Sequence, residues 1–337
     1  MRHIVTPDGR IDDKRIWRRE TIYKGMGGKL VERINVTPAE SVIFKPIGSD
    51  ENRAGEAWIY NNVLPAFPPV YPKMLAASQG GGSEEGWALF EDLGPLRHEF
   101  DEETARALLS HVAAWHAIPA RPYRSAPLRG PKPNADAVRS EMLPLLEDPR
   151  MLESLVAAPP GRGPVQLCDA TLDRLPERIR GDNPGPVPER FRIALRQERF
   201  HFPSVLSHGD LHVGNYVMLN GQIKVLDWEH VHLNCRYWDI YHAVDLSHPL
   251  FPKSVSPDAR DRLLDHYVRE VERHPDGGTL EAGFKRRYYL FSALFSLWML
   301  KLIAGDIAGG GGPWPLEGLE RQRRETQSAF IECAERC

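Results

Sequence analysis

The sequence predicts an α+β protein of two lobes, with a small N-terminal antiparallel sheet that carries one helix and a larger, mainly helical C-terminal lobe. The chain has 337 residues, more than one compact core usually holds, so two lobes are expected. Short β-rich runs separated by glycine turns fill the N-terminal part, whereas helical patterns dominate the rest. We therefore predict one lobe at residues 1–92 and a second at residues 93–337.

The composition is that of an ordinary globular protein, with 42% hydrophobic residues, 26% charged residues and a net charge of −3. No strongly basic stretch is present, and binding nucleic acid needs clustered Lys and Arg, so we expect no nucleic-acid partner. The four cysteines form no Cys-x-x-Cys pair and fit a reducing interior. The charged N-terminus, MRHIVTPDGRIDDKRIWRRE, lacks the apolar run of a secretory signal. These features predict a cytoplasmic protein.

One apolar segment needs comparison with a membrane span. YYLFSALFSLWML, residues 288–300, is only 13 residues long and ends at Lys301. A spanning helix needs roughly 20 residues, so the segment predicts a buried helix of the larger lobe and no membrane partner. No pattern indicates the oligomeric state.

The N-terminal 92 residues contain signals for strands and for one helix. ETIYKGMGGKLVERINV reads as a strand, a turn containing Gly25, Gly27 and Gly28, and a second strand, and SVIFKP is a further β-rich run. The pattern of ENRAGEAWIYNNVL, residues 51–64, predicts a helix that ends before Pro65. VYPKMLAAS and GWALFEDLG predict two more strands. Together these segments make a small sheet with one helix.

The larger lobe is predicted to consist of helices and one hairpin. DEETARALLSHVAAWHAI, residues 101–118, begins with acidic residues suited to a helix N-terminus. Two short strands, Tyr216 to Leu219 and Gln222 to Leu226, are joined by Asn-Gly, a strong hairpin signal. Residues 119–200, rich in Pro and Arg, give only short helical patches. Further helices are predicted at residues 258–273, 280–304 and 316–335.

Polar residues cluster around that hairpin, in VLSHGDLHVGNYVMLNGQIKVLDWEH, residues 205–230. Asp210 precedes it, Asn215 follows five positions later, and Asp227 comes after the second strand. Because a hairpin returns the chain beside its start, Asp227 can approach Asn215. Their oxygens suit Mg²⁺, which takes one or two protein ligands and leaves the other positions to water and phosphate. Asp210 would be free to accept a proton from a hydroxyl, so the pattern suits phosphoryl transfer.

HGDLHVGN followed by VLDWEH resembles the motifs of the aminoglycoside phosphotransferase and choline kinase family of small-molecule kinases. Related protein kinases carry H-R-D-x-x-x-x-N and D-F-G. The resemblance implies a bilobal, protein-kinase-like fold and an ATP- and Mg²⁺-dependent O-phosphotransferase that acts on a small hydroxylated molecule. It implies that Asp210 is catalytic and that Asn215 and Asp227 bind the metal. Asp239 in RYWDI resembles the residue that supports the catalytic loop, and Val213 stands where many members have Pro.

The family fold needs further parts in the N-terminal lobe, and the chain offers them in the expected order. By the resemblance, Lys45 in VIFKP would hold the α- and β-phosphates, and Glu56 in GEAWIY would orient it. ALFEDLG resembles the hinge that carries the adenine. Phe90 would gate the adenine pocket, and Glu91 and Leu93 would present a backbone C=O and a backbone N–H to the adenine edge. The match extends over residues 20–240.

Several positions keep two interpretations. The glycine turn fits neither G-x-G-x-x-G nor the P-loop, so Gly27 and Gly28 either donate N–H groups to phosphate or belong to an ordinary hairpin. His208 is predicted to hold the catalytic loop through a backbone hydrogen bond, whereas His212 could face substrate or solvent. Glu229 could bind the metal or act as a structural acceptor. HGDLH also suggests a metallophosphatase, but the further D-x-H and G-N-H segments of such a site are missing.

The phosphate acceptor and a second functional class also stay open. Family members act on aminoglycosides, macrolides, choline, homoserine and sugars, and no acidic cluster in the sequence selects among these acceptors. The acids considered for a polycation site are Asp239, Asp245, Asp261 and Asp265. The alternative function is a catalytically silent, kinase-like binding or structural protein of the spore-coat type. The presence of all five polar residues of the kinase site argues against that alternative.

Overall fold

A computed structural model describes residues 2–25, 28–47, 55–78, 86–128, 130, 134–148, 189–198, 200, 202–274 and 280–337. The N-terminal part of these residues holds a five-stranded antiparallel sheet in the order β1-β2-β3-β5-β4. Its strands are Arg18–Lys24 (β1), Leu30–Thr37 (β2), Glu40–Ile47 (β3), Met74–Ala77 (β4) and Gly86–Glu91 (β5). One helix, Glu56–Asn62 (α1), lies between β3 and β4 along the chain. The predicted small sheet with one helix is confirmed; residues 51–54 of the predicted helix lie outside the described part.

Alternation along the central strands decides which side chains face α1. On β3, Val42 and Phe44 are buried in a small cluster with Leu89 of β5. The odd-numbered residues of β3 point to the opposite face, because successive side chains of a strand alternate. That face meets the main core through Ile43 and Ile47. Lys45 shares this face, so the sheet directs its side chain towards α1 and the larger lobe.

The larger lobe is mainly helical, as predicted. Its helices are Glu102–His116 (α2), Ala135–Glu147 (α3), Glu189–Gln197 (α4), Tyr237–Val244 (α5), Pro257–Arg273 (α6), Phe284–Ala308 (α7) and Leu316–Ala334 (α8). The predicted hairpin is present as Tyr216–Leu219 (β7) and Gln222–Val225 (β8), and Asn220 and Gly221 both have positive φ. A second pair of strands, Ser204–Ser207 (β6) and His232–Cys235 (β9), was not predicted.

Helix α7 contains the apolar segment at residues 288–300. Among the described residues it is the one helix long and apolar enough to cross a membrane, but 61% of its most apolar stretch is buried inside the protein. It packs against α8 and also contacts α3. The prediction of a buried core helix is therefore confirmed.

The segment after β5 is tied back to the sheet. Asp92 accepts hydrogen bonds from Arg33 Nε at 2.6 Å and from Ser41 Oγ at 2.7 Å. The boundary predicted at residue 92 falls at this anchor, and the division into lobes at that residue stays a prediction.

Candidate active site

A lysine of the sheet meets carboxylates from two other elements. Lys45 Nζ lies 2.9 Å from Glu56 Oε2 and 2.5 Å from Asp227 Oδ1. Glu229 Oε1 lies 4.0 Å from the same ammonium. Lys45 and Asp227 are 182 positions apart in the sequence, and Asp227 follows the β7–β8 hairpin. The fold therefore brings together the small-lobe lysine, the helix glutamate and the post-hairpin aspartate that were identified from the sequence.

The electrostatics of this cluster favour a charged lysine and a charged Asp227. Burial lowers the pKa of Lys45, but the negative charges of Asp227, Glu56 and Glu229 outweigh burial and raise that pKa well above its usual value. Burial raises the pKa of Glu56, and the neighbouring Lys45 reverses the rise only in part. Burial also acts to raise the pKa of Asp227, but the charge and hydrogen bond of Lys45 prevail and lower it to about 2. Near neutral pH Lys45 therefore carries a proton and Asp227 does not.

The backbone at Asp227 has an unusual conformation. With φ 58° and ψ 61° it lies in the left-handed region, which costs a non-glycine residue about 1 kcal/mol or more. The neighbouring residues hold it there: Leu226 N donates to Asn215 O at 2.8 Å, and the buried Trp228 donates from Nε1 to Val225 O at 2.8 Å. Backbone strain of this kind persists only where neighbouring contacts hold the residue in place, and strained residues are common at functional sites.

The cluster has the oxygen donors that a hard divalent cation requires. Carboxylate oxygens of Glu56, Asp227 and Glu229 lie within 4.8 Å of one another. Asn215 donates its amide Nδ2 to Asp210 O at 2.8 Å, which leaves its amide oxygen to bind a cation. Oxygen donors of this type suit Mg²⁺. The residues present thus fit the metal that the sequence motifs imply.

Asp210, the aspartate predicted to be catalytic, belongs to the loop before the β7–β8 hairpin, and 24% of its side chain is exposed. Its backbone N–H donates to His208 Nδ1 at 3.2 Å, and its backbone carbonyl receives the Asn215 amide. The other nitrogen of His208, Nε2, lies 2.8 Å from Leu226 O, in agreement with the predicted structural role of that histidine. Both main-chain groups of Asp210 are therefore fixed, while its carboxylate keeps access to solvent.

Asp239 accepts hydrogen bonds from the backbone of the loop that leads into Asp210. Fully buried in α5, it accepts hydrogen bonds from Ser207 Oγ at 2.6 Å, His208 N at 2.9 Å and Gly209 N at 3.2 Å, and from Trp115 Nε1 at 3.1 Å. Burial acts to raise the pKa of this carboxyl, but contacts with His116 and Ser207 lower it well below its usual value. These contacts agree with the supporting position that the family resemblance implied.

We expect the substitution Asp239→Ala to lower the free energy of unfolding by about 3 kcal/mol or more. It would leave several buried donors unsatisfied, each at about 1–3 kcal/mol. Urea unfolding would measure the change. As a control, Asp265→Ala should cost less than about 1 kcal/mol, because Asp265 is 48% exposed and pairs with Lys285 at the surface. Equal losses for the two variants would contradict the role of Asp239.

In the glycine turn and the predicted hinge, backbone hydrogen bonds already occupy the N–H groups of Gly28 and Glu91. Gly28, with φ +77°, donates its N–H to Gly25 O at 2.9 Å, so phosphate binding by this group would require breaking that bond. Gly27 lies outside the described residues. Glu91 donates its N–H to Lys73 O at 2.9 Å, and Leu93 follows two positions later beside the anchor at Asp92. The roles of these residues towards a nucleotide stay predictions.

Aromatic and imidazole rings beside Asp210 were not recognised from the sequence as a group. His212 and His242 each approach one oxygen of its carboxylate, and His212 stacks on His248, which contacts Trp314. His212 was left ambiguous because its imidazole could face substrate or solvent. His242, His248 and Trp314 lie outside the recognised motifs. A retrospective signal exists for His242 alone, since it follows Asp239 by three positions and therefore lies on the same helical face.

The sequence matches one protein family over most of this region. Residues 57–277 match the phosphotransferase enzyme family. The chain belongs to that family. Membership confirms the predicted class, a phosphotransferase that acts on a hydroxyl of a small molecule. No curated protein matches the chain in sequence.

Solved structures of this phosphotransferase fold are similar over nearly the full chain. A spectinomycin phosphotransferase, APH(9)-Ia, in complex with ADP and spectinomycin has a TM-score of 0.58 at 12% identity, covering 96% of this chain and 94% of that chain. A GDP complex of aminoglycoside 2'-phosphotransferase-IIIa has a TM-score of 0.53 at 13% identity, with coverages of 93% and 94%. A choline/ethanolamine kinase family protein from Mesorhizobium loti has a TM-score of 0.51 at 14% identity, with coverages of 96% and 93%. These similarities confirm the predicted fold.

Proposed function

We propose that this phosphotransferase transfers the γ-phosphoryl group of ATP, with Mg²⁺, to a hydroxyl of a small molecule in the cytoplasm. The observation that carries the proposal is the 2.5 Å contact between Lys45 Nζ and Asp227 Oδ1. It joins the sheet to the post-hairpin loop at the position where a triphosphate would need both a cation and a metal-binding carboxylate. The nucleotides named in the solved relatives, ADP and GDP, support a nucleoside triphosphate as donor.

In the proposed mechanism each residue of the cluster has one task. Lys45, oriented by Glu56, binds phosphate oxygens, and Asn215 and Asp227 would hold Mg²⁺, which neutralises charge on the phosphates when bound. Asp210 orients the acceptor hydroxyl and takes its proton as the new O–P bond forms and the bond to the leaving ADP breaks. Positioning and electrostatic stabilisation supply most of the acceleration in phosphoryl transfer. The Lys45–Asp227 pair keeps both charges compensated before nucleotide binds.

The four acids considered for a polycation site are all engaged: Asp239 by the catalytic loop, Asp245 by Arg260 at 2.7 Å, Asp261 by Arg336 at 2.6 Å, and Asp265 by Lys285. These four acids therefore do not identify a polycation site, and the proposed acceptor is an amino alcohol, a sugar, an aminoglycoside or a related metabolite. The relatives named for choline, spectinomycin and aminoglycosides support a small-molecule acceptor in general.

Thermal denaturation with nucleotide provides the first test. ATP with Mg²⁺ at about 100 times its Kd should stabilise the protein by roughly 2.7 kcal/mol, and the same ATP with excess EDTA should stabilise it much less. Asp227→Ala serves as the matched control, because it removes the proposed metal ligand and should abolish the Mg²⁺-dependent part of the shift.

An acceptor screen provides the second half of that test. Purified protein with Mg²⁺ and ATP is offered neutral, singly charged and polycationic alcohols, and phosphorylated products are identified by mass spectrometry. We expect a phosphorylated product from at least one of these alcohols. Mg²⁺-dependent binding without transfer to any alcohol would favour the catalytically silent, kinase-like protein. Absence of nucleotide binding would overturn the proposal.

A further inference from the structure

We propose that His242 and His212 are positioning residues for Asp210, with one imidazole nitrogen facing each oxygen of its carboxylate. His242 Nδ1 lies 3.6 Å from Asp210 Oδ1, and His212 Nε2 lies 3.7 Å from Asp210 Oδ2. The two rings come from different elements, α5 and the catalytic loop, so the carboxylate is held between them. The inference rests on the proposed catalytic role of Asp210 and adds two residues to that site.

The proton position on His212 follows from its local contacts. Gly214 donates its backbone N–H to His212 Nδ1 at 3.0 Å, so Nδ1 acts as an acceptor. A neutral imidazole has one acceptor nitrogen and one N–H, and the N–H is therefore at Nε2, the atom that faces Asp210. The ring plane is fixed by stacking on His248, with centroids 4.5 Å apart and planes 10° apart, and by Phe251 at 5.8 Å.

The second ring is positioned by one face of α5. His242 follows Asp239 by three residues and Trp238 by four, the spacings that bring side chains of a helix to neighbouring positions. Trp238 donates from Nε1 to Gly209 O at 2.9 Å, and Asp239 accepts from Gly209 N. His242, 1% exposed, packs on Trp238 with centroids 4.6 Å apart. The same face of α5 thus holds the backbone before Asp210 and approaches its carboxylate.

This arrangement restricts the rotation of the Asp210 carboxylate. An imidazole nitrogen facing each oxygen from the protein side favours one orientation of the carboxylate and leaves its other lone pairs for the acceptor hydroxyl. The separations of 3.6 and 3.7 Å exceed a normal hydrogen bond, and such contacts in ligand-free enzymes commonly tighten when substrate binds. We therefore expect His242 and His212 to affect kcat rather than the affinity for ATP.

Paired amide substitutions test the proposal because Asn and Gln place their side-chain nitrogen at different distances from the backbone. The Asn nitrogen approximates Nδ1 and the Gln nitrogen approximates Nε2. We expect His242→Phe and His242→Gln to lower kcat by about 10- to 100-fold, the range for losing a hydrogen bond to a charged group, with KM for ATP unchanged. His242→Asn should retain kcat to within a few-fold. At position 212 the order should reverse, so that His212→Gln is more active than His212→Asn.

A merely structural role would give another pattern, in which kcat follows the melting temperature and not the position of the amide nitrogen. Each variant is therefore also melted, and equal kcat for His242→Asn and His242→Gln at equal stability would overturn the proposal. A KM for ATP that rises as much as kcat falls would overturn it as well.

A measurement without turnover separates this inference from the proposed function. Proton-coupled ¹⁵N NMR of histidine-labelled protein reports both ring nitrogens, and the His242 and His212 variants assign the signals. We expect Asp210→Asn to shift the Nδ1 signal of His242 and the Nε2 signal of His212. Unchanged signals would overturn the inference. Shifted signals in a protein that binds no nucleotide and phosphorylates no acceptor would uphold the contact and refute the proposed function.

Discussion

Asp210→Asn is expected to lower kcat by roughly 10²- to 10⁴-fold, the usual contribution of a positioned general base. The amide keeps the shape of the carboxylate but cannot take the proton of the acceptor hydroxyl. The fold should survive, because the loop is held through the main-chain groups of Asp210, which bond to His208 Nδ1 and to the Asn215 amide. Steady-state kinetics on the acceptor found by screening would measure the loss.

Two measurements make this result specific. The melting temperature and the Mg²⁺-dependent shift with ATP should match those of the parent protein, because Asp210 is not a proposed metal ligand. Asp265→Asn, at a half-exposed carboxylate paired with Lys285, should leave kcat unchanged. Parental turnover by Asp210→Asn would show that another group performs this role.

The parts of the site that could be predicted are those whose residues lie a few positions apart in the sequence. Asp210 and Asn215 belong to one loop, and the Asn-Gly turn of the next hairpin brings Asp227 back beside Asn215, as Leu226 N to Asn215 O at 2.8 Å shows. Lys45 was identified through the resemblance to the kinase family, and the structure places it on the face of β3 that lies towards α1. Turn geometry was enough for the loop and the hairpin, whereas Lys45 needed the family resemblance.

The parts that escaped prediction depend on contacts between distant segments. Strands β6 and β9 are four residues each, too short for a period to stand out, and they pair across the intervening β7–β8 hairpin. His242 follows Asp239 by three positions in RYWDIYHAV, but this spacing alone does not distinguish it from a core histidine. The four acids considered for an acceptor site illustrate the same limit, because only the fold assigns Asp245 to the buried Arg260.

Lys45 has two roles that one substitution would remove together. It is the proposed phosphate ligand, and it is also the countercharge of Glu56, whose side chain is 2% exposed. Burial raises the pKa of Glu56 to about 7 even with Lys45 beside it. Asp227 and Glu229, at 34% and 36% exposure, are screened better by water. Removal of the lysine therefore affects Glu56 most strongly.

Lys45→Met should accordingly lower both activity and stability. We expect kcat to fall by roughly 10²- to 10³-fold, the cost of losing one preorganised donor to developing charge. Breaking a buried ion pair typically costs about 3–5 kcal/mol of unfolding free energy, and here the cost should depend on pH. Without Lys45 the pKa of Glu56 rises further above its unfolded value. A group with a raised folded pKa loses its stabilising contribution as pH increases, so the variant should be less stable at pH 8 than at pH 5.

The double variant Lys45→Met, Glu56→Gln separates the two roles. A neutral amide at position 56 removes the unpaired carboxylate, so urea unfolding should recover most of the lost stability. The additional loss of stability between pH 5 and pH 8, relative to the parent protein, should disappear. Activity should not recover, because the phosphate ligand is still missing. Glu56→Gln alone is the control for the amide itself. If the double variant regained turnover, Lys45 would act only as a partner of Glu56, and the proposed contact with the phosphates of ATP would be wrong.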